Sequence, residues 1–192
     1  MELKVNHLSK SFGALHVLEQ VTLSLRSGRI YCLMGPSGSG KTTFFRILLG
    51  LEQADSGSLA GMEGIRTSAV FQENRLCESF TPVDNIAMVI PGRSSRSRIQ
   101  AREELLRLLP EESLSRPVST LSGGMKRRVA IVRALSVPSD MILMDEPFTG
   151  LDEDTKMNVI RYIRDKTNDK LVIISTHQEE DVALLNGTLV TL

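Results

Sequence analysis

The chain has 192 residues, 41% hydrophobic and 24% charged, and its 23 Lys and Arg balance 23 Asp and Glu to give no net charge. That length buries a real core and predicts one domain with room for an inserted lobe, while the charge balance argues against a dedicated nucleic-acid binder, which needs a strongly basic face. The two cysteines cannot build a disulfide framework and lack metal-ligand spacing, no apolar run approaches the ~18 residues of a membrane helix, and MELKVNHLSK lacks the apolar core of a signal peptide; the expectation is a soluble cytoplasmic protein.

In chain order, an N-terminal strand that contains Phe12 comes first. The apolar run 30–34 then predicts a strand buried on both faces, as in a parallel sheet. It leads into Gly35-Pro36-Ser37-Gly38-Ser39-Gly40-Lys41-Thr42, followed by Thr43, which fits G-x-x-x-x-G-K-[ST]. Phe44, Ile47, Leu48 and Leu51 continue at the spacing of one helix face. Strand, glycine-rich turn and amphipathic helix are the setting in which that octet cradles phosphates. The glycines let backbone N–H groups converge on an anion, and the helix N-terminus adds partial positive charge. Lys41 is expected to bridge the β- and γ-phosphates, and the Thr42 hydroxyl to bind Mg2+.

A further short run, 69–71, predicts a strand ending beside Gln72. The stretch 73–121 holds four prolines, an Arg/Ser-rich piece (GRSSRSR) and the helical pattern IQAREELLRLL, with no convincing strand. It reads as a helical lobe inserted between two strands of the main sheet; with the helix after Gly124, marked by Met125, Val129 and Val132, the lobe spans about 73–135. Arg93, Arg96, Arg98 and Arg102 could meet an anionic partner, although a solvated helix approach is the plainer reading.

The run 141–144 predicts a buried strand ending in Asp145 and Glu146. A carboxylate at the C-terminal end of such a strand lies where α/β sheets bind ligands. Asp145 suits orientation of Mg2+ through water, and Glu146 suits a general base. Met157, Ile160 and Ile163 predict a helix capped by Asp152, with Glu153 and Asp154 near its positive end. Runs at 171–174 and 189–190 complete an alternation of strands and helices, hence an α/β fold with a mostly parallel core sheet.

Leu121-Ser122-Gly123-Gly124-Met125 stands ahead of the Asp145 strand. With Lys41 and Asp145-Glu146 it makes the chain resemble the nucleotide-binding subunit of an ATP-binding-cassette (ABC) transporter, over essentially residues 1–192. The other motifs follow in the family's order: Phe12, Gln72 after Val70-Phe71, Thr149-Gly150-Leu151-Asp152, and His177 in Ser175-Thr176-His177. The resemblance implies a P-loop NTPase with a small antiparallel β-subdomain and the inserted helical lobe. It implies that Phe12 stacks on adenine, although a lone aromatic in a strand is as readily core. Gln72 would reach Mg2+ or the attacking water. Ser122, Gly123 and Gly124 would grip the γ-phosphate held by a partner subunit, although Ser-Gly-Gly by itself is more often a turn. His177 would lie beside Asp145, contact the γ-phosphate and hold Glu146 and water in line.

The implied function is ATP hydrolysis coupled to transport by transmembrane permease subunits. A homodimer, or a pairing with a second ABC subunit, forms on ATP binding, an extracytoplasmic substrate-binding protein completes the complex, and no nucleic acid takes part. The chain would be peripheral on the inner membrane face. A ribosome- or DNA-directed ABC protein would normally carry two cassettes or long coiled coils, and a degenerate module would lack Gln72, Glu146 or His177. Met125 and Arg127 replace the commoner Gln residues of the signature, Thr149-Gly150 replaces Ser-Ala, the span 50–72 is short enough to trim the β-subdomain, and the chain ends soon after His177. VFQENRL and LSGGMK look most like the nitrate, sulfonate and taurine type of importer. A permease helix is expected against Gln72, Glu73, Asn74, Arg75 and Leu76, with Phe80 and the Pro82 turn nearby.

Overall fold

The apolar runs become two sheets with helices packed on them, in a computed structural model that describes residues 1–92 and 94–192. The first sheet is antiparallel, order β2-β1-β4, from β1 (Glu2–Phe12), β2 (Leu15–Arg26) and β4 (Ser56–Ala60). The second is parallel, order β5-β6-β7-β3-β8, from β3 (Arg29–Met34), β5 (Thr67–Val70), β6 (Met141–Asp145), β7 (Leu171–Ser175) and β8 (Thr188–Thr191). Every residue of β6 and β7 is buried, as continuous apolar runs covered on both faces require.

Side-chain alternation divides the parallel sheet between two cores. Met141, Leu143, Leu171 and Ile173 face Phe44, Phe45, Ile47 and Leu48 of α1 (Lys41–Leu48), which also meets Leu3, Val5, Leu8 and Leu18 of the antiparallel sheet. Ile142, Met144, Val172 and Ile174 face the other way. They join a core with Val129 and Val132 of α4 (Gly123–Ser136) and Val159, Ile160 and Ile163 of α5 (Glu153–Lys166). That helix starts as its sequence predicts, with the Asp152 side chain accepting from the Thr155 N–H at 2.9 Å. The buried Cys32 thiol is pushed up to about 11 by desolvation, while Cys77 is exposed.

Between β5 and β6 the chain forms α2 (Pro82–Ala87), α3 (Ser94–Leu106), two short 3-10 turns and α4, with no strand among the described residues, as expected of the lobe. The helix predicted from IQAREELLRLL begins earlier and takes in part of the Arg/Ser-rich piece. Arg98 pairs with Asp84 at 2.5 Å and Arg102 with Glu111, so both guanidinium groups already have carboxylate partners; Arg93 lies outside the described residues. Leu51 departs from its expected place on the α1 face. The helix closes at Leu48, Gly50 turns the chain at φ 68°, and Leu51 is left 53% exposed. Phe71 likewise falls beyond β5. The span 50–72 holds only β4 and β5, and the antiparallel sheet draws most of its surface from the 11- and 12-residue strands β1 and β2. Helix α6 (Glu179–Leu185) links β7 to β8.

Candidate active site

The site lies at the C-terminal ends of the parallel strands, where β3, β5, β6 and β7 release their loops. After Met34 the chain turns through Gly38 and Gly40, at φ 85° and 88°, a region that glycine enters without steric cost. A Cβ at Gly40 would come within 2.6 Å of the Val17 carbonyl oxygen and 2.7 Å of Leu18 Cδ2, so no larger residue fits beneath the β-subdomain. Helix α1 then starts with no side-chain cap and no acidic residue in its first turn, which leaves its N-terminal dipole available to an anion. The Lys41 ammonium is buried and donates to the carbonyls of Gly35 at 2.7 Å and Pro36 at 3.0 Å, curled over the loop it serves. Ser39 Oγ is buried without a hydrogen-bond partner among the described residues. A buried hydroxyl in that condition beside a lysine and a helix N-terminus fits a phosphate.

Asp145 is held from two sides. Thr42 Oγ1 donates to its Oδ2 at 2.8 Å, and Ser175 Oγ to its Oδ1 at 2.6 Å, the latter because parallel pairing sets Asp145 opposite Ser175. The Glu146 N–H donates to the same Ser175 hydroxyl at 2.9 Å. Glu146 itself has φ 48°, a left-handed conformation that costs a non-glycine residue about 1–3 kcal/mol and persists only where neighbours hold it. That turn swings the carboxylate to His177, whose Nε2 lies 2.6 Å from Glu146 Oε1, while Thr149 Oγ1 donates to Oε2 at 3.4 Å. The His177 contact is therefore with Glu146, while the side-chain partner of Asp145 on that segment is Ser175.

Gln72, Glu146 and His177 share one cavity of about 210 Å3 with Val17, Ser37, Gly38, Gly40, Lys41, Thr42 and Thr43. Three separate sequence predictions thus converge on the phosphate loop. Phe12 does not line that cavity; it ends β1 at 49% exposure with Lys10 Nζ 5.1 Å from its ring centre. Nor do Ser122, Gly123 and Gly124. They open α4 at the surface, the Ser122 hydroxyl accepting from the Met125 N–H at 3.3 Å.

Sequence reasoning missed three features. Ser175 is the register partner of Asp145, and the polar residue closing LVIIS was its one visible sign. Lys156 and Asp181 form a buried ion pair at 2.5 Å behind His177; a lysine one helical turn before Val159 and Ile160, on the inward face, was the available signal. Arg127 was legible only as a departure from a motif. Its guanidinium is buried beside both loops, and desolvation holds it below the usual arginine value, offset by Asp145 and Glu146.

Comparison with known proteins agrees with this geometry. The profile of the ABC transporter family matches residues 18–149. A sulfate/thiosulfate import ATP-binding protein of Photorhabdus laumondii is 38% identical over 94% of this chain and 55% of its own length. The protein of the same name from Xanthomonas campestris is 36% identical over 96% of this chain and 59% of its own. The chain thus spans about half the length of the curated relatives it matches. A solved dimer of the ATP-binding cassette MJ0796, in a post-hydrolysis state bound to ADP and Pi, aligns with a TM-score of 0.87 at 25% identity, covering 99% of this chain and 94% of that one. These relatives correct the expected importer type: they carry sulfate/thiosulfate import names, and the nitrate, sulfonate and taurine type gains no support. With its motifs in family order and the phosphate loop, Gln72, Glu146 and His177 around one cavity, the chain belongs to the ABC transporter family, among its ATP-binding cassettes.

Proposed function

We propose that this chain binds ATP with Mg2+, hydrolyses it to ADP and phosphate, and drives transport through separate transmembrane permease subunits. The observation that carries the reading is Glu146, turned by its left-handed backbone onto His177 in the cavity that also holds Lys41 and Thr42. Lys41 and the α1 N-terminus would bind the β- and γ-phosphates. The Thr42 hydroxyl and Asp145 would hold Mg2+, with Gln72 facing it. One hydroxyl and one carboxylate beside phosphate oxygens suit an ion that keeps several waters, and no cluster of three His, Cys, Asp or Glu offers a fuller cage among the described residues. Bound there, Mg2+ supplies charge neutralisation on the phosphate oxygens. Glu146 accepts a proton from water as the water oxygen attacks the γ-phosphorus and the bond to the β,γ-bridging oxygen breaks. His177 holds the Glu146 carboxylate in line.

Residues 1–192 act in this reading as one ATPase domain with its helical lobe at about 73–135. Its exposed Ser122-Gly123-Gly124 terminus completes the site of a second cassette, a homodimer or a related subunit, which the dimeric MJ0796 neighbour supports. The cargo class that the relatives' names suggest is sulfate or thiosulfate, delivered by an extracytoplasmic binding protein. A cytoplasmic position on the inner membrane face follows from the permease. It accords with the lack, among the described residues, of a helix long and apolar enough to cross a membrane.

Two substitutions test the composite site. Lys41→Ala should weaken ATP binding in its own subunit at least tenfold. Ser122→Asp keeps the helix cap of α4 but sets a negative charge toward the partner's γ-phosphate. It should spare monomer affinity and abolish ATP-dependent association. An equimolar mixture should regain activity, because one of its two sites is then undamaged. Equal loss of monomer affinity for both variants would mean that Ser122 acts in its own subunit.

For the permease contact we keep the Phe80 end of the expected surface. Leu76 packs, partly buried, against the lobe core and offers less apolar area there. Phe80, already on the expected surface, and Met88, 48% and 50% exposed, line a groove of about 570 Å3 with Ala87 and Ile90, its rim carrying Asp84 and Arg98. We place an amphipathic permease helix there. Met88→Asp should eliminate co-purification with the permease while leaving melting temperature and ATP affinity unchanged. Undiminished co-purification would remove the groove from the interface.

A further inference from the structure

Helix α4 carries a buried cation that reaches two strand ends at once. Arg127 is 4% exposed. Its Nη1 donates to the carbonyls of Phe71 at 2.6 Å and Gln72 at 3.2 Å, and to Asn74 Oδ1 at 3.2 Å. Its Nη2 donates to the carbonyls of Asp145 at 3.0 Å and Glu146 at 2.6 Å. No carboxylate oxygen is among these acceptors, so the charge is spent on four backbone carbonyls and one side-chain amide oxygen. The acceptors on one side flank Gln72, and those on the other are the last residue of β6 and the left-handed Glu146. Arg133, on the same helix, adds bonds to the carbonyls of Asn74 at 3.1 Å and Arg75 at 2.8 Å.

We infer that Arg127 is a positioning residue for hydrolysis, a fork that fixes the Gln72 loop and the Glu146 turn relative to each other. A planar guanidinium can bind both loops at once because its two terminal nitrogens point apart, whereas an ammonium is a single point donor and a glutamine amide carries one NH2 group on a shorter stem. Glu146 N is tied to Ser175 and Glu146 O to Arg127, so its turn is held from both ends of the residue. The helix that supplies Arg127 begins at Ser122, about five residues or ~7.5 Å earlier along its axis. A displacement of the Ser122 end would therefore be felt at both loops.

This inference rests on the ATPase reading, and its test separates the two. Arg127→Lys and Arg127→Gln are compared with the unsubstituted chain in kcat, KM, ATP affinity, melting temperature and backbone amide exchange. Arg127→Lys keeps a buried positive charge but loses the fork. It should hold melting temperature within a few degrees and ATP affinity within about twofold, while kcat falls about 10- to 100-fold. Amide exchange should rise in 71–76 and 146–149 and stay unchanged in β7. In a Glu146→Gln background the same change should cost less single-turnover rate than in the unsubstituted chain, because part of its effect runs through Glu146. Arg127→Gln should show the same kcat and exchange pattern, with a larger loss of melting temperature. Parallel loss of ATP affinity, kcat and melting temperature in Arg127→Gln, with all three restored by Arg127→Lys, would make the residue merely structural and overturn the inference. Unchanged exchange in both segments would also overturn it. An unsubstituted chain that binds ATP without turnover would instead overturn the ATPase reading, and the exchange result then decides the role of Arg127 by itself.

Discussion

Glu146→Gln should leave ATP binding intact and lower hydrolysis by about 10²–10⁴-fold. The substitution is nearly isosteric and removes only the capacity to take a proton from water. Lys41, Thr42 and the α1 N-terminus are untouched, and the amide oxygen can still accept from His177, which meets the carboxylate at 2.6 Å. The left-handed turn is held through the Glu146 main chain, by Ser175 on its N–H and Arg127 on its carbonyl, so it should survive the change. ATP bound but not hydrolysed should then collect in a closed dimer. Size-exclusion chromatography with ATP, alongside phosphate release, reads both halves of the prediction. Hydrolysis near the unsubstituted rate would remove Glu146 from the chemistry, whatever its place in the cavity.

The largest loss of stability is expected from Lys156→Met. Lys156 Nζ lies 2.5 Å from Asp181 Oδ1, with side chains 5% and 2% exposed, and also donates to Gln178 Oε1 at 2.5 Å. Asp181 Oδ2 accepts from Thr176 Oγ1, which in turn accepts from the Gln178 N–H at 3.2 Å. The network therefore binds α5 to the segment on either side of His177. Removing the lysine strands a buried carboxylate, at a cost of about 3–5 kcal/mol, equivalent to roughly 6–20 °C in Tm for a chain of this size. Lys156→Met combined with Asp181→Leu should recover most of that loss, since burying neither charge costs less than burying one. Thermal unfolding of the two variants measures it; a fall below about 1 kcal/mol for Lys156→Met would mean that water reaches the pair.

What was legible in the sequence is local. The octet from Gly35 to Thr42, the buried runs that became β3, β6 and β7, and the Asp152 cap each depend on neighbours within a few positions, so spacing reveals them. The lobe was visible as a break in that pattern. Where local reading failed, a chain reversal intervened: Gly50 ended α1 before Leu51. The long β1–β2 hairpin was faint because its register shifts and its left-handed His7 and Gln20 break strict alternation.

The sequence by itself therefore determined the α/β alternation and the phosphate loop, which rest on backbone chemistry and periodicity at short range, whereas Gln72 and His177 stood out only through the order of the family's motifs. Tertiary structure alone decided which of them meet. Thr42 reaches Asp145 across 103 positions, Ser175 joins Asp145 through parallel pairing, and His177 meets Glu146. Arg127 and the Lys156–Asp181 pair belong wholly to that second kind. A buried charge is tolerated only where distant parts of the chain supply its partners, and those partners carry no spacing in the sequence by which they could be found.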